Sequence, residues 1–145
     1  MPCLSAGEEG RGWRVGGKAE FPLSSKGFFA FERLEVYQLS VKLAADIYTI
    51  SREFPADERF GLINQIRRAS TSVTLNIAEG SGRGSQKDFA RFLMQARGSA
   101  YEVVAAPHLA RQLNYLSPEA VIPLCDEAHT LSAKLMAFIH KLTPP

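Results

Sequence analysis

The residues whose types and spacing most clearly suggest chemistry are five basic residues around a glycine-rich turn, Arg67, Arg68, Arg83, Lys87 and Arg91. Lys87 and Arg91 are four residues apart, so they share one face of a helix. Arg83 comes just before that helix, whose first free N–H groups and dipole attract anions. The pattern predicts a surface that binds RNA or DNA through backbone phosphates.

The alternative interpretation of these residues is an ordinary solvated surface in which Arg83 pairs with Glu79 and the other basic residues form ordinary ion pairs. Basic faces alone are weak indicators of nucleic-acid binding. We find no pattern in which aromatic residues alternate with these charges, so stacking of bases is not predicted. Any specificity would come from shape or from a partner protein, because phosphate contacts do not read bases.

The charge of the chain is unevenly distributed. The formal net charge is +2, yet the segment from Arg59 to Arg111 contains eight basic and three acidic residues. They are Arg59, Arg67, Arg68, Arg83, Lys87, Arg91, Arg97 and Arg111 against Glu79, Asp88 and Glu102. This asymmetry favours an anionic partner, although solvated helix faces are also charged.

The other candidate sites have simpler interpretations. The turn from Gly80 to Gly84 has no Gly-x-x-x-x-Gly-Lys-Ser/Thr motif and no preceding strand, so it is interpreted as a link between helices. Asn76, Glu79 and Glu102 are interpreted as structural hydrogen-bonding groups.

One pair of residues has the spacing of metal ligands. Asp126 and His129, with Cys125 beside them, could lie on one helical face, but the second His motif of a di-metal bundle is missing. His108 and His140 have no carboxylate or cysteine at ligand spacing, and no nucleophile is paired with a recognisable base. The sequence predicts no enzyme, no metal and no cofactor. A metalloenzyme in the helical core is a distant third hypothesis.

Four amphipathic patterns must position these side chains, and no strand-period segment competes with them. Their apolar residues recur at steps of three and four, which predicts an all-α, antiparallel up-down-up-down four-helix bundle. The patterns comprise Val36, Leu39, Leu43, Ile47, Ile50 and Phe54; Ile63, Ile66, Ser70, Val73 and Ile77; Phe89, Phe92, Ala96, Val103, Ala106, Ala110 and Leu113; and Val121, Leu124, Ala128, Leu131, Leu135, Phe138 and Leu142.

Local signals mark where these helices begin, end and meet. Ser85 with Asp88, and Ser117 before Pro118, predict helix starts, while Gly80 is expected to end the second helix in a left-handed conformation. Pro107 and Pro123 are expected to kink or break their helices. Small residues at 70–74 and 98–100 would let the second and third helices approach closely.

The 145 residues are enough for one domain with its own core. Residues 1–30, rich in Gly and Ser, are expected to form a flexible leader, and residues 31–145 the helical domain. The two cysteines, Cys3 and Cys125, do not suggest a disulfide framework. With no apolar signal core and no membrane-length run, the expected location is the cytoplasm, away from membranes.

Three segments resemble the family of proteins encoded in intervening sequences of bacterial 23S rRNA genes, the S23 family. They are FERLEVYQLS at 31–40, ASTSVTLNIAEGSGR at 69–83 and KDFARFLMQARGSAYE at 87–102. The resemblance implies a four-helix bundle assembled into a homo-oligomeric ring, a pentamer. It also suggests kinship with the basic accessory proteins of diversity-generating retroelements, implicated in binding nucleic acid and reverse transcriptase.

The sequence departs from the family pattern at three places. Val104 stands where a second acidic residue is usual, Pro107 is expected to interrupt a continuous helix, and the residues before Phe31 have no counterpart.

From the basic residues and the family resemblance together, we predict a non-enzymatic oligomer that binds RNA or DNA. The alternative is a protein-interaction scaffold with no nucleic-acid binding, which would leave an apolar patch exposed after assembly.

Overall fold

The predicted amphipathic patterns form four long helices in the computed structural model, which describes residues 14–15, 18–19 and 24–145. The helices are α1 (Glu35–Ser51), α2 (Leu62–Ser81), α3 (Gln86–Gln112) and α4 (Pro118–Leu142), with short 3-10 turns at Ala30–Arg33 and Ala56–Glu58. The described strands, β1 (Arg14–Val15) and β2 (Lys18–Ala19), form a two-residue antiparallel ladder. The all-α prediction is confirmed for the domain that follows them.

The flexible leader predicted for residues 1–30 falls largely outside the described part of the chain. None of the helices within that part is both long and apolar enough to cross a membrane.

Hydroxyl side chains begin two of the helices as predicted. Ser85 Oγ accepts a hydrogen bond from the Asp88 backbone N–H at 3.0 Å, and Ser117 Oγ accepts one from Ala120 N–H at 3.3 Å. Each bond satisfies one of the donors that a helix leaves free in its first turn. The start of α3, next to the predicted basic surface, is therefore fixed by its own sequence.

The core lies between the four helices, each of which contacts two neighbours: α1 contacts α2, α2 contacts α3, α3 contacts α4, and α4 contacts α1. Its fully buried side chains include Leu43, Ile47, Ile66, Ile77, Leu93, Leu131 and Leu135. Most positions of the predicted apolar patterns are buried. Leu113 is an exception at 44% exposure, because it is the C-cap of α3 and its backbone has left the helix.

The predicted close approach of α2 and α3 is confirmed. Ser72 Oγ and Ser99 Oγ are 2.9 Å apart, and a β-carbon added at Gly80 would lie 2.7 Å from the Phe92 Cβ. The prediction that Gly80 ends α2 in a left-handed conformation is wrong, because α2 continues to Ser81. The left-handed glycine of this turn is Gly84, at φ +77°. Gly80 is required instead for helix contact.

Pro107 does not break α3, so the predicted break is wrong, whereas the predicted kink stays a prediction. The helix runs from Gln86 to Gln112 with Pro107 inside it and buried. The proline nitrogen cannot donate to the Val103 carbonyl, which removes one backbone hydrogen bond from the helix. Its ring contributes to the core in return. Pro123 likewise lies inside α4, which begins at Pro118.

Candidate nucleic-acid interface

Asp88 organises the basic residues at the α2–α3 turn. Its carboxylate accepts hydrogen bonds from Arg91 Nε at 3.0 Å and Nη2 at 2.8 Å, and it lies 3.5 Å from Arg83 Nε. The alternative pairing of Arg83 with Glu79 is therefore wrong. Arg83 pairs with Asp88 and not with Glu79 because the left-handed turn at Gly84 directs Arg83 toward α3.

Phe92 holds the same two arginines from below. The Arg83 Cζ lies 5.0 Å and the Arg91 Cζ 4.7 Å from the centre of its ring, which is almost fully buried. A guanidinium over an aromatic face is attracted by the ring quadrupole. An aromatic residue thus accompanies these charges after all, although it is buried and supports the arginines rather than offering a face to a ligand.

Lys87 completes this group, which we call the turn cluster: Arg83, Lys87 and Arg91. Lys87 is exposed and forms no ion pair within the described part of the chain. Two of the three cations, Arg83 and Arg91, share one carboxylate, Asp88. The cluster therefore keeps a positive charge at the N-terminus of α3, where the helix dipole also favours anions.

Arg67 and Arg68 lie away from the turn cluster, about 21 Å along α2 from its C-terminal end at a rise of about 1.5 Å per residue. Arg67 faces α1: its Nε donates to Ser51 Oγ at 2.8 Å, and its Cζ lies 4.7 Å from the Tyr48 ring centre. Arg68 is exposed. The structure thus brings together three of the five predicted residues and leaves these two elsewhere.

A groove between α3 and α4, the α3–α4 groove, begins at the turn cluster. Its basic residues on α3 are Lys87, Arg91, Arg97, His108 and Arg111. Three of these residues, Arg97, His108 and Arg111, are not among the five that the sequence predicts for the site. At about 100° per residue these three side chains lie about 100–160° around α3 from Arg91, so helical spacing does not place them beside it. Only the fold shows that α4 leaves their side of α3 open.

The remaining predicted polar groups serve local packing. Asn76 Nδ2 donates to the Ser72 carbonyl at 2.8 Å and to Ser72 Oγ at 3.0 Å. Glu102 accepts a hydrogen bond from Gln65 Nε2 at 3.2 Å, linking α3 to α2. Glu79 is exposed. These contacts agree with the structural interpretation of Asn76 and Glu102.

Cys125, Asp126 and His129 line the α3–α4 groove. Within the described residues, no group of three or more His, Cys, Asp or Glu side chains could hold a metal ion. Burial, and to a lesser extent the charge of Asp126, raises the pKa of the Cys125 thiol. A raised pKa disfavours the thiolate, the reactive form of cysteine. The arrangement offers positive charge and a groove rather than an activated nucleophile.

Residues 32–137 match the family described as 23S rRNA-intervening sequence protein. Among solved structures, the chain is similar to a protein of unknown function from the S23 ribosomal protein family of Bacteroides thetaiotaomicron VPI-5482. The two share 24% identity over 72% of this chain and 97% of that chain, with a TM-score of 0.67. No curated protein matches.

Proposed function

The chain belongs to the 23S rRNA-intervening sequence protein family, and on this premise we propose that it is a non-enzymatic cytoplasmic oligomer that binds RNA or DNA through backbone phosphates. The solved structure named above is itself described as a protein of unknown function. The proposal for this chain therefore depends on its own residues.

The helices are proposed to run up-down-up-down. Contacts between α1 and α2 support this, since Ser51 meets Arg67 while Ser40 meets Thr74. Residue numbers fall along α1 as they rise along α2, so the two helices are antiparallel. Between α1 and α4, Lys42 meets Glu127 and Glu35 meets Lys134, with the same reversal. We further propose that such bundles assemble into a homo-oligomeric ring, a pentamer, which sedimentation of the purified protein would test.

The turn cluster is the observation on which the nucleic-acid proposal rests. Arg83 and Arg91 are held between Asp88 and the Phe92 ring, so little side-chain freedom is lost when they meet a phosphate. Lys87 stands beside them without an acidic partner. Repetition of the cluster around an oligomer would multiply weak phosphate contacts through effective concentration.

The test replaces Arg83, Lys87 and Arg91 by Ala and measures binding to labelled single- and double-stranded RNA and DNA at two salt concentrations. Affinity should fall similarly for all sequences, and its salt dependence should flatten, because each lost phosphate contact removes about 0.7–0.9 from the slope. The matched control replaces Lys26, Arg52 and Arg59 by Ala, an equal charge change at exposed positions away from the turn. Equal affinity in both triple variants would reject the proposal.

The second candidate function, a protein-interaction scaffold, is favoured by the large apolar side chains left exposed. Phe60 is 87% exposed, and Leu75, Leu109 and Leu113 are exposed as well. Such residues mark protein interfaces when they form a patch. Failure of the wild-type protein to bind any nucleic acid at low salt would favour this function.

A further inference from the structure

The α3–α4 groove extends well beyond the turn cluster as three successive hollows. The first, of about 480 Å³, lies between Lys87, Arg91 and Met94 on α3 and Ile139 on α4. The second, of about 680 Å³, has Arg97 and Tyr101 facing His129. The third, of about 530 Å³, reaches Arg111 and Ile122 and shares His108, Cys125 and Asp126 with the second. The second and third hollows are therefore contiguous, whereas the first shares no lining residue with them, and together they border α3 from Lys87 to Arg111.

Small side chains make the groove. In the middle hollow its walls include Ala100 and Ala105 on α3 and Ala128 and Ala133 on α4. Alanine at these positions leaves space that longer side chains would fill, so an extended ligand can lie between the helices.

The charge of the groove is complementary to a nucleic-acid backbone. From Lys87 to Arg111 it extends about 36 Å at about 1.5 Å per residue, with Arg91 and Arg97 between them. The acidic residues that line the three hollows are Asp88 and Asp126. Asp88 is already bound by Arg83 and Arg91, which leaves Asp126 as the acid without an arginine.

Tyr101 provides a platform near the middle of the groove. The ring is 56% exposed, and the Arg97 Cζ lies 5.0 Å from its centre while Nη2 donates to the hydroxyl at 2.9 Å. Arg97 forms no ion pair within the described residues, and its buried Nε has no hydrogen-bond partner there. The guanidinium thus fixes the ring and keeps its charge.

We propose that the α3–α4 groove binds a single strand of RNA or DNA, with backbone phosphates along Lys87, Arg91, Arg97 and Arg111 and one base stacked on Tyr101. This inference rests on the proposed function and narrows its ligand. Bases in a duplex are stacked on one another and cannot reach a side chain without being extruded. An aromatic platform within a basic groove is the arrangement that binds single strands without reading their sequence.

The experiment compares wild-type protein with Tyr101→Ala and Tyr101→Phe in binding a labelled ten-nucleotide single strand and the duplex of the same sequence. Loss of one stacked base should weaken single-strand binding by roughly 5- to 150-fold in Tyr101→Ala, while Tyr101→Phe stays near wild type. Duplex binding should change less than twofold. The matched control is Tyr48→Ala, which removes another exposed tyrosine that contacts an arginine, on α1 rather than in the groove.

The outcomes separate this inference from the proposed function. Wild-type protein that binds neither strand nor duplex would reject both. If the wild-type protein binds the single strand and Tyr101→Ala binds it equally well, the groove inference alone is rejected. Circular dichroism checks that each variant is folded, and sedimentation checks assembly. A change of oligomeric state in Tyr101→Ala would show that a second copy covers the groove, which would also overturn the inference.

Discussion

Gly80 of α2 lies directly against Phe92 of α3, so close that a β-carbon at Gly80 would be 2.7 Å from the Phe92 Cβ. Phe92 in turn lies beneath Arg83 and Arg91. The contact therefore links the packing of α2 and α3 to the placement of the turn cluster.

Gly80→Ala should destabilise the protein by about 1–3 kcal/mol, because the added methyl group must displace the ring or the backbone of α3. Gly98→Ala is the control: Gly98 is also inside a helix, and a β-carbon there would meet nothing within 4 Å. It should stabilise by about 0.5–1 kcal/mol, the usual helix preference of alanine. Urea unfolding of both variants measures the difference, and equal effects would contradict the packing role of Gly80.

Arg67→Ala should destabilise by about 1–2 kcal/mol, because Arg67 bonds the fully buried Ser51 hydroxyl and stacks on Tyr48. Arg68→Ala changes the same charge at the next, exposed position and should alter stability by less than about 0.5 kcal/mol. Thermal melting compares the two variants. Similar melting temperatures for both would mean that Arg67 is only a surface charge.

Asp88→Asn should strengthen nucleic-acid binding by about two- to fivefold at low salt, since it frees the charges of Arg83 and Arg91 from an exposed ion pair worth about 0.2–1 kcal/mol, while the Phe92 ring still holds both side chains in place. Stability should fall slightly because a carboxylate in the first turn of a helix is favourable. Glu79→Gln gives the same charge change at an exposed position outside the cluster. If both variants gain affinity equally, net charge rather than Asp88 controls binding.

Glu127 should make stability depend on pH. Lys42 Nζ binds both Asp46, at 2.8 Å, and Glu127, at 2.9 Å. Burial first, and then Asp46, raise the pKa of Glu127 above 4.5 despite this lysine, while both carboxylates raise the pKa of Lys42. Lys42 thus shares its charge between two carboxylates and cannot fully compensate the partial burial of Glu127.

A raised folded-state pKa means that the native protein binds the proton more tightly than the unfolded chain does. The stability from Glu127 is then fully present below pH 4.5 and is lost as pH rises through the folded pKa. As pH rises, the unfolding free energy of the wild-type protein should therefore fall relative to that of Glu127→Gln. Urea unfolding from pH 4 to 8 measures this, with Glu53→Gln, at an exposed position outside the helices, as control. If the difference in unfolding free energy between wild type and Glu127→Gln stayed constant from pH 4 to 8, Glu127 would not make stability depend on pH.

Local patterns account for what the sequence predicts well. The four helices and the Ser85 and Ser117 caps follow from spacings within a few residues. The role of Gly80 does not, because a terminating glycine and a packing glycine look alike until α3 is placed against α2. The Arg83 partner depends on the conformation of Gly84. The position of Tyr101 in a groove depends on which side of α3 is left open by α4.

Pro107 divides the hydrogen-bond ladder of α3 without ending the helix. Because no amide proton joins residue 107 to Val103, the turns on either side can open separately, and opening is reported by amide hydrogen exchange. The turns after Pro107 should therefore exchange faster than those around Ala96 and Ala100. Arg111 belongs to the faster unit and Arg97 to the slower one, so one end of the groove can adjust to a bound chain while the other stays fixed.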